Sequence, residues 1–568
     1  MDRRLPWVVG ALTLLVYAPV LWSGFLFDDH HLIVENALLR DPRLLWRFFV
    51  SPLTSTEVSG GMYRPLTMAS YMADYAVGRL APLGYHLVNL LLHAVNAWLG
   101  YRLVRLMRPD VSALAVAAAI LLWLLHPVHL NAVAYVTSRS TLLATCGVLT
   151  ALCAYRRSVL DARRAAAWCL LALAACVAAL GAKEIGIVTP ALIVLADLTV
   201  WAAPGDADAP RRWPWRRWLP FVLLGLAYLG WRTHLTGALG PSTPVRPGWF
   251  NLGASCLAVW EYLRMLVLPA GVCLTRGVRV PTQAWDPVAL AAMAGYVGLW
   301  LLAVWWLRRR PLMACALGWF LLALVPTHPM ASLYLTAADH HLYLPSLGLV
   351  VAAAVAVEAL RGRGGRLMTW ALVALLAACG VTTWQRSRCW ADAVCVWEST
   401  VRQAPQSVIA WTNLGQVYET RGRLDEAQRA FLTALRLGGI ERGAIIGNLG
   451  RVVAARGRQA TALPLLRLAV AYSPRTPLVL QALALSLSQT GRHDEAAVMY
   501  QRVIDANPAI VEAYNNWGVD LARQGRLAEA IAVFRRGVPW DDGRTSLRRN
   551  LAQALAAVEP PRGARADR

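Results

Sequence analysis

Lysine is almost absent from this chain: of its 56 basic residues a single one, Lys183, is a lysine. Every other cationic duty has passed to arginine, and a composition so skewed fits a GC-rich, bacterial genome. Charge as a whole is scarce. Charged residues fill 16% of the 568 positions and hydrophobic ones 57%, with a mean hydropathy of +0.44, which excludes a soluble globular protein. No cysteines have the spacing of a zinc site. Eight of the ten lie in or at the ends of apolar runs, where they act as small hydrophobes. Cys389 and Cys395 fall in a polar linker, where a disulfide and two free thiols are equally open. No convincing small-residue cleavage site precedes Phe27, so the apolar run at 6–26, which follows Arg3 and Arg4, reads as a retained signal anchor.

What is present is a succession of apolar runs near membrane-spanning length. About 20 helical residues, rising 1.5 Å each, cross a hydrocarbon layer of about 30 Å. Eleven runs qualify, near 6–26, 84–107, 111–126, 137–155, 165–181, 185–201, 218–236, 288–307, 311–327, 343–360 and 367–384. A formal charge of +23 would suggest nucleic acid in a soluble domain. Here, though, the arginines sit in short clusters between the runs, at 3–4, 102–108, 156–164, 211–217, 308–310 and 361–366, as cytoplasmic orientation signals. Eleven crossings put every cluster on one side. The stretch 252–272 carries Glu261 and Arg264 midway, and counting it as a twelfth crossing would move Arg308, Arg309 and Arg310 outside. It is expected to be re-entrant or interfacial.

With eleven crossings, everything after Trp384 lies on the extracytoplasmic side. Gly422, Gly457, Gly491 and Gly525, each followed by arginine, recur every 34 or 35 residues, the period of helical-hairpin repeats. Asn413-Leu414-Gly415 returns at Asn448 and, as Asn-Trp-Gly, at Asn516; Leu424-Asp425-Glu426-Ala427 is echoed from His493 and Leu527; Asn507-Pro508 is a stop. The pattern resembles the tetratricopeptide repeat, in four copies over 407–542. Such stacks form a concave groove, and no catalytic grouping is visible in them. The fold class is therefore all-α: a polytopic membrane domain at 1–384, a linker at 385–406, the repeats, and at 543–568 a C-terminal helix with a disordered tail.

The polar residues near the runs are not scattered. Asp28, Asp29, His30, His31, Arg64 and Asp74 belong to the first outside loop; His126 and His129 sit between the third and fourth runs, with Arg139 ten residues on; Lys183 and Glu184 fall between the fifth and sixth; His328, Asp339, His340 and His341 come before the tenth. All fall on the extracytoplasmic face. Acids and fixed cations converging beside hydrocarbon suit transfer from a lipid-linked phosphate. A carboxylate takes the proton of an attacking hydroxyl, and cations stabilise the leaving phosphate in a water-poor pocket.

The segments FLFDDHHLIVEN, YRPLTMASYMADYAVGRLAPLGYHLVNLLLHAVNA, LLHPVHLNAVAYVTSRS, GAKEIG and DHHLYLPSLG, followed by the repeats, resemble the transmembrane and tetratricopeptide-repeat O-mannosyltransferases over nearly the whole chain. The resemblance implies a polytopic glycosyltransferase of the GT-C type that uses polyprenyl-phosphate sugars. It makes Asp28 and Asp29 the base site, with Asp28 ranked first, and Arg64, His126, His129, Arg139, Lys183, Glu184, Asp339, His340 and His341 the donor-phosphate and substrate contacts. Two departures stand out: Asp339-His340-His341 replaces a frequent Glu-Arg-Tyr, and Asn131 replaces a Glu. His340 could stand in for the arginine only if protonated or donating a neutral hydrogen bond.

Each signal has a plainer reading. The aspartates could cap a helix, single histidines could be packing residues, and Lys183-Glu184 could be a surface turn. Two histidine pairs could hold a metal, but His126-x-x-His129 lacks a defined partner. The expected function is transfer of mannose from polyprenyl phosphate to a hydroxyl of a protein or glycan, with inversion. No cofactor is expected beyond the lipid-linked co-substrate. Membrane lipids, the sugar donor and an acceptor docked on the repeats are the expected partners, nucleic acid is not, and the location is the bacterial inner membrane, or the endoplasmic reticulum in a eukaryote. The rivals are a non-catalytic membrane-anchored repeat scaffold and a transporter; the latter would place its charges near the bilayer midplane in repeated halves.

Overall fold

Prolines open several of the long apolar helices, at the position where a missing N–H costs no hydrogen bond. Pro65, Pro82, Pro287 and Pro311 begin helices in this way; Asp286 also caps the helix that Pro287 opens, and Ser112 caps another, each by accepting backbone N–H groups. The computed structural model describes residues 3–51, 62–201, 214–237 and 248–558, apart from 270–272, 277, 279–280, 282, 284, 328–337, 439–441, 542 and 544. Every regular element among the described residues is helical. His328 and the tail at 560–568 lie outside them.

The chain divides into two units, Met1–Pro405 and Gln406–Arg568. The first contains α1 (Leu5–Tyr17), α2 (Arg47–Val50), α3 (Pro65–Gly78), α4 (Pro82–Met107), α5 (Ala113–Leu125), α6 (Leu130–Ala134), α7 (Arg139–Leu160), α8 (Ala165–Ala182) and α9 (Thr189–Leu198). It continues with α10 (Trp215–Thr236), α11 (Gly248–Val267), α12 (Pro287–Arg309), α13 (Pro311–Leu324), α14 (Tyr343–Cys389), bent at Gly365, and α15 (Ala393–Gln403). Its core is built from α1, α4, α5, α7, α8 and α14, with Leu124, Val148, Leu152 and Cys176 fully buried. Small residues let α7 and α8 approach closely: a side chain at Gly147 would meet the Ala175 carbonyl at 2.8 Å.

All eleven expected crossings are helical, but fewer qualify by length and composition. Among the described residues seven helices are long and apolar enough to cross a membrane, and eight if α5 and α6, bent by 50°, count as one. The expected crossings at 185–201, 218–236 and 311–327 are not among them. Residues 184–188 form a separate 3-10 turn before the ten-residue α9, α10 carries Arg216 and Arg217 at its start, and α13 is short. The stretch expected to be re-entrant or interfacial is one unbroken helix up to Val267, packed on α12 through the Trp260 Nε1–H bond to the Ala292 carbonyl (3.1 Å).

Leu5 and Val9 of α1 share the core of the first unit with Tyr101, Met107 and Val111, and Ser112 at the start of α5 bonds Glu358 of α14.

In the second unit the hairpins are α16 (Val408–Thr420) with α17 (Leu424–Leu437), α18 (Arg442–Ala455) with α19 (Gln459–Tyr472), α20 (Pro477–Gln489) with α21 (His493–Ala506), and α22 (Val511–Arg523) with α23 (Leu527–Gly537), followed by α24 (Leu547–Val558). The periodic glycines Gly422, Gly457, Gly491 and Gly525 have φ of 72–78°. That left-handed backbone closes the first helix of each hairpin, and glycine adopts it without strain.

Candidate active site on one face of the helical bundle

Asp28 and Asp29 follow Phe27, whose φ of 52° turns the chain sharply after the first crossing. The turn sends the two carboxylates into different surroundings. Asp29 is 1% exposed, and its Oδ2 accepts the Leu26 N–H (3.0 Å) while its Oδ1 accepts the Thr137 N–H (2.9 Å). Burial outweighs those two bonds and pushes its pKa up to about 7. Asp28 keeps a side chain 37% exposed, with His31 Nε2 3.9 Å from Oδ1, and its backbone N–H donates to Tyr135 Oη (2.9 Å). Desolvation raises its pKa, against the opposing pull of His31, Tyr135 and Arg64. Asp29 is thus a staple between two segments, and Asp28 is the carboxylate that stays partly exposed.

Lys183 sits in extended backbone between α8 and the 184–188 turn. Its Nζ donates to Thr141 Oγ1 of α7 at 2.9 Å, and the side chain is 6% exposed. Burial first, then the nearby Arg64 charge, brings its pKa down to about 7, against the pull of Glu184. Glu184 accepts both Arg64 Nη2 (2.7 Å) and Nε (3.2 Å), a bidentate pair, and is held well below the usual carboxylate range by Arg64 and Lys183. Thr67 Oγ1 donates to the Ala182 carbonyl (2.8 Å), fastening the start of α3 to the end of α8. Because the Arg64–Glu184 pair is formally neutral, Lys183 is the surplus cation here. Lys183, Thr141, His340 and His341 surround one closely packed space, and His340 Nδ1 is buried without a hydrogen-bond partner among the described residues. Arg64, Tyr71, Thr137 and Ser140 line another.

Other expected contacts have different work. Arg139 is fully buried. Its Nε donates to Asn89 Oδ1 (2.9 Å), its Nη2 to the Tyr85 carbonyl (2.8 Å), and its Nη1 pairs with Asp74. The guanidinium also lies 4.9 Å from the Tyr71 ring centre, so Arg139 bolts α3, α4 and α7 together and turns no open face to a donor. Asp339 is likewise fully buried. It accepts from the Cys273 N–H (2.7 Å), Arg276 Nε (3.2 Å) and Asn131 Nδ2 (3.3 Å), a strut to the segment at 273–276. His129 packs 4.7 Å from Trp123 and 5.3 Å from Tyr343, and His126 accepts the Val128 N–H at the head of a turn (3.3 Å). For these two the packing reading fits the geometry. Among the described residues no three His, Cys, Asp or Glu side chains gather as a metal site.

The chain is 28% identical to Protein O-mannosyl-transferase Tmtc3 of Drosophila melanogaster over 613 residues, covering 89% of this chain and 64% of that protein. It is 24% identical to Protein O-mannosyl-transferase TMTC3 of Homo sapiens over 98% of this chain and 66% of that protein. With Protein O-mannosyl-transferase F38B6.6 of Caenorhabditis elegans the identity is 25%, over 76% and 62%. Over most of its length the chain is thus similar to proteins named protein O-mannosyl-transferases. It spans a little under two-thirds of the length of these relatives. The tetratricopeptide repeat family model matches residues 384–439 and 482–544. The solved tetratricopeptide-repeat protein YrrB aligns at 22% identity over 35% of this chain and 95% of that one, with a TM-score of 0.24.

The two departures from the family pattern meet in space, since Asn131 donates to Asp339. A glutamate at position 131 would put two carboxylates in contact there. Residues that sequence reasoning did not single out complete the face. Thr141 holds Lys183, and Tyr135 holds the Asp28 backbone. Tyr228 Oη is buried without a hydrogen-bond partner among the described residues. Tyr135 lies within the LLHPVHLNAVAYVTSRS segment and Thr141 directly after it, and neither residue type by itself marked a role. Cys389 and Cys395 are disulfide-bonded, and their neighbours Trp390 and Trp397 pack near Tyr135 (6.4 Å) and Phe27 (5.8 Å), beside the aspartate pair.

Proposed function

We propose that the chain is a membrane glycosyltransferase that moves mannose from a polyprenyl phosphate to a hydroxyl of a protein or glycan. The observation that carries this reading is the division between two adjacent carboxylates, Asp29 locked by backbone N–H groups and Asp28 partly exposed, with the cation Lys183 in the same unit. In the reaction Asp28 takes the acceptor hydroxyl proton as that oxygen bonds to the anomeric carbon. The bond from that carbon to the lipid phosphate oxygen breaks, and the phosphate leaves with the electron pair toward Lys183. Attack opposite the leaving group inverts the anomeric centre. Lys183 suits the leaving group because an incoming phosphate anion offsets the Arg64 repulsion and desolvation that lower its pKa.

The face is extracytoplasmic, in a bacterial inner membrane, and the repeats lie on the same side and dock the acceptor. The disulfide next to the aspartates supports this orientation, since disulfides persist in oxidising compartments. The decisive experiment gives purified protein a labelled polyprenyl-phosphate mannose and a serine- and threonine-containing peptide. Transfer by the native chain and none by Asp28→Asn is expected. No transfer by the native chain under any donor would leave a membrane-anchored repeat scaffold.

A further inference from the structure

A groove of about 290 Å³ on the membrane unit lies away from the aspartates, at the arginine-bearing end of α4, α7 and α8. These three helices are among those long and apolar enough to cross a membrane. Leu99, Leu106 and Leu171 wall the groove, and two arginines stand on it, Arg102 from α4 and Arg157 from α7. Each guanidinium rests over a tryptophan that also lines the groove, Arg102 over Trp98 and Arg157 over Trp168, both at 5.7 Å. Neither is paired with a carboxylate among the described residues, whereas Arg108 nearby is paired with Asp110.

We propose that this groove binds an anionic diacyl phospholipid, its phosphate held between Arg102 and Arg157 and an acyl chain lying on the leucines. Charge complementarity selects the occupant. Two unpaired guanidinium forks match phosphate oxygens, and apolar walls flanked by tryptophans suit a molecule at the boundary of headgroup and chain. A zwitterionic lipid would bring its own cation to the arginines, and a free phosphate would leave the walls uncovered.

The test uses the full chain in phosphatidylcholine nanodiscs, with phosphatidylglycerol added and bound lipid counted by native mass spectrometry. One retained phosphatidylglycerol per chain is expected, with inorganic phosphate failing to displace it. Arg102→Gln with Arg157→Gln weakens retention by roughly thirty-fold. Leu171→Trp, which keeps both charges and fills the groove, also releases the lipid. Unchanged thermal midpoints of the variants in pure phosphatidylcholine show that the fold is intact. Equal retention by the double variant, or by Leu171→Trp, would overturn the assignment, as would displacement by inorganic phosphate. The readout is independent of sugar transfer.

Discussion

The Lys183 ammonium donates to the Thr141 hydroxyl at 2.9 Å, across the boundary between α7 and α8. This ties the sole lysine of the chain to a narrow, buried place where a planar guanidinium would not fit without displacing neighbours. Lys183→Met is expected to lower transfer by roughly 10²-fold or more through lost stabilisation of the leaving phosphate, and Lys183→Arg to restore only part of it. Both variants are measured at saturating donor. Full activity in the methionine variant would retire the role.

The same residue gives activity and stability opposite pH dependences. Its folded pKa of about 7 lies below the ordinary lysine value of about 10.4, so between these values the unfolded chain holds the proton that the folded chain has released. Stability therefore rises with pH through that window and its contribution is lost as pH falls to about 7. Transfer needs the charged form and is expected to fall in donor-limited rate as pH rises through about 7. Thermal midpoints and initial rates across pH 6–10 (roughly) test both trends, and Lys183→Met should flatten the stability trend.

The two aspartates separate by readout. Asp28→Asn keeps the fold and loses transfer, by about 10²- to 10⁴-fold, because an amide keeps the shape and removes the base. Asp29→Asn turns an amide N–H₂ toward one of two backbone donors and costs about 1–3 kcal/mol of stability. Unfolding midpoints set beside transfer rates decide it; a catalytic defect without destabilisation in Asp29→Asn would reverse the assignments.

Arg139→Ala is expected to destabilise the membrane unit by about 3–5 kcal/mol, since Asp74 loses its buried partner. Arg139→Ala with Asp74→Ala should recover part of that loss. A stable single variant defective only in donor affinity would return Arg139 to the donor site.

A cysteine placed near Gly491 should react with a membrane-impermeant reagent in intact spheroplasts if the repeats share the side of Asp28. Protection until lysis would place them in the cytoplasm.

By itself the sequence determined the helical membrane domain and the repeats. Hydropathy and a period of 34 or 35 residues are properties of residue order, and the glycines at 422, 457, 491 and 525 mark turns that need left-handed backbone. It also led to the expectation that the acids and histidines share one face, because a crossing fixes which loops share a side. Spacing alone could not separate Asp28 from Asp29. The difference lies in backbone N–H groups of Leu26 and Thr137, the latter 108 residues away in the chain and supplied only by packing. Arg139 and Asp339 belong to the same class: in sequence they are charges beside apolar runs, and only the tertiary structure shows their hydrogen bonds turned inward. A buried charge must find partners wherever the fold places them, and those partners carry no mark in the local sequence.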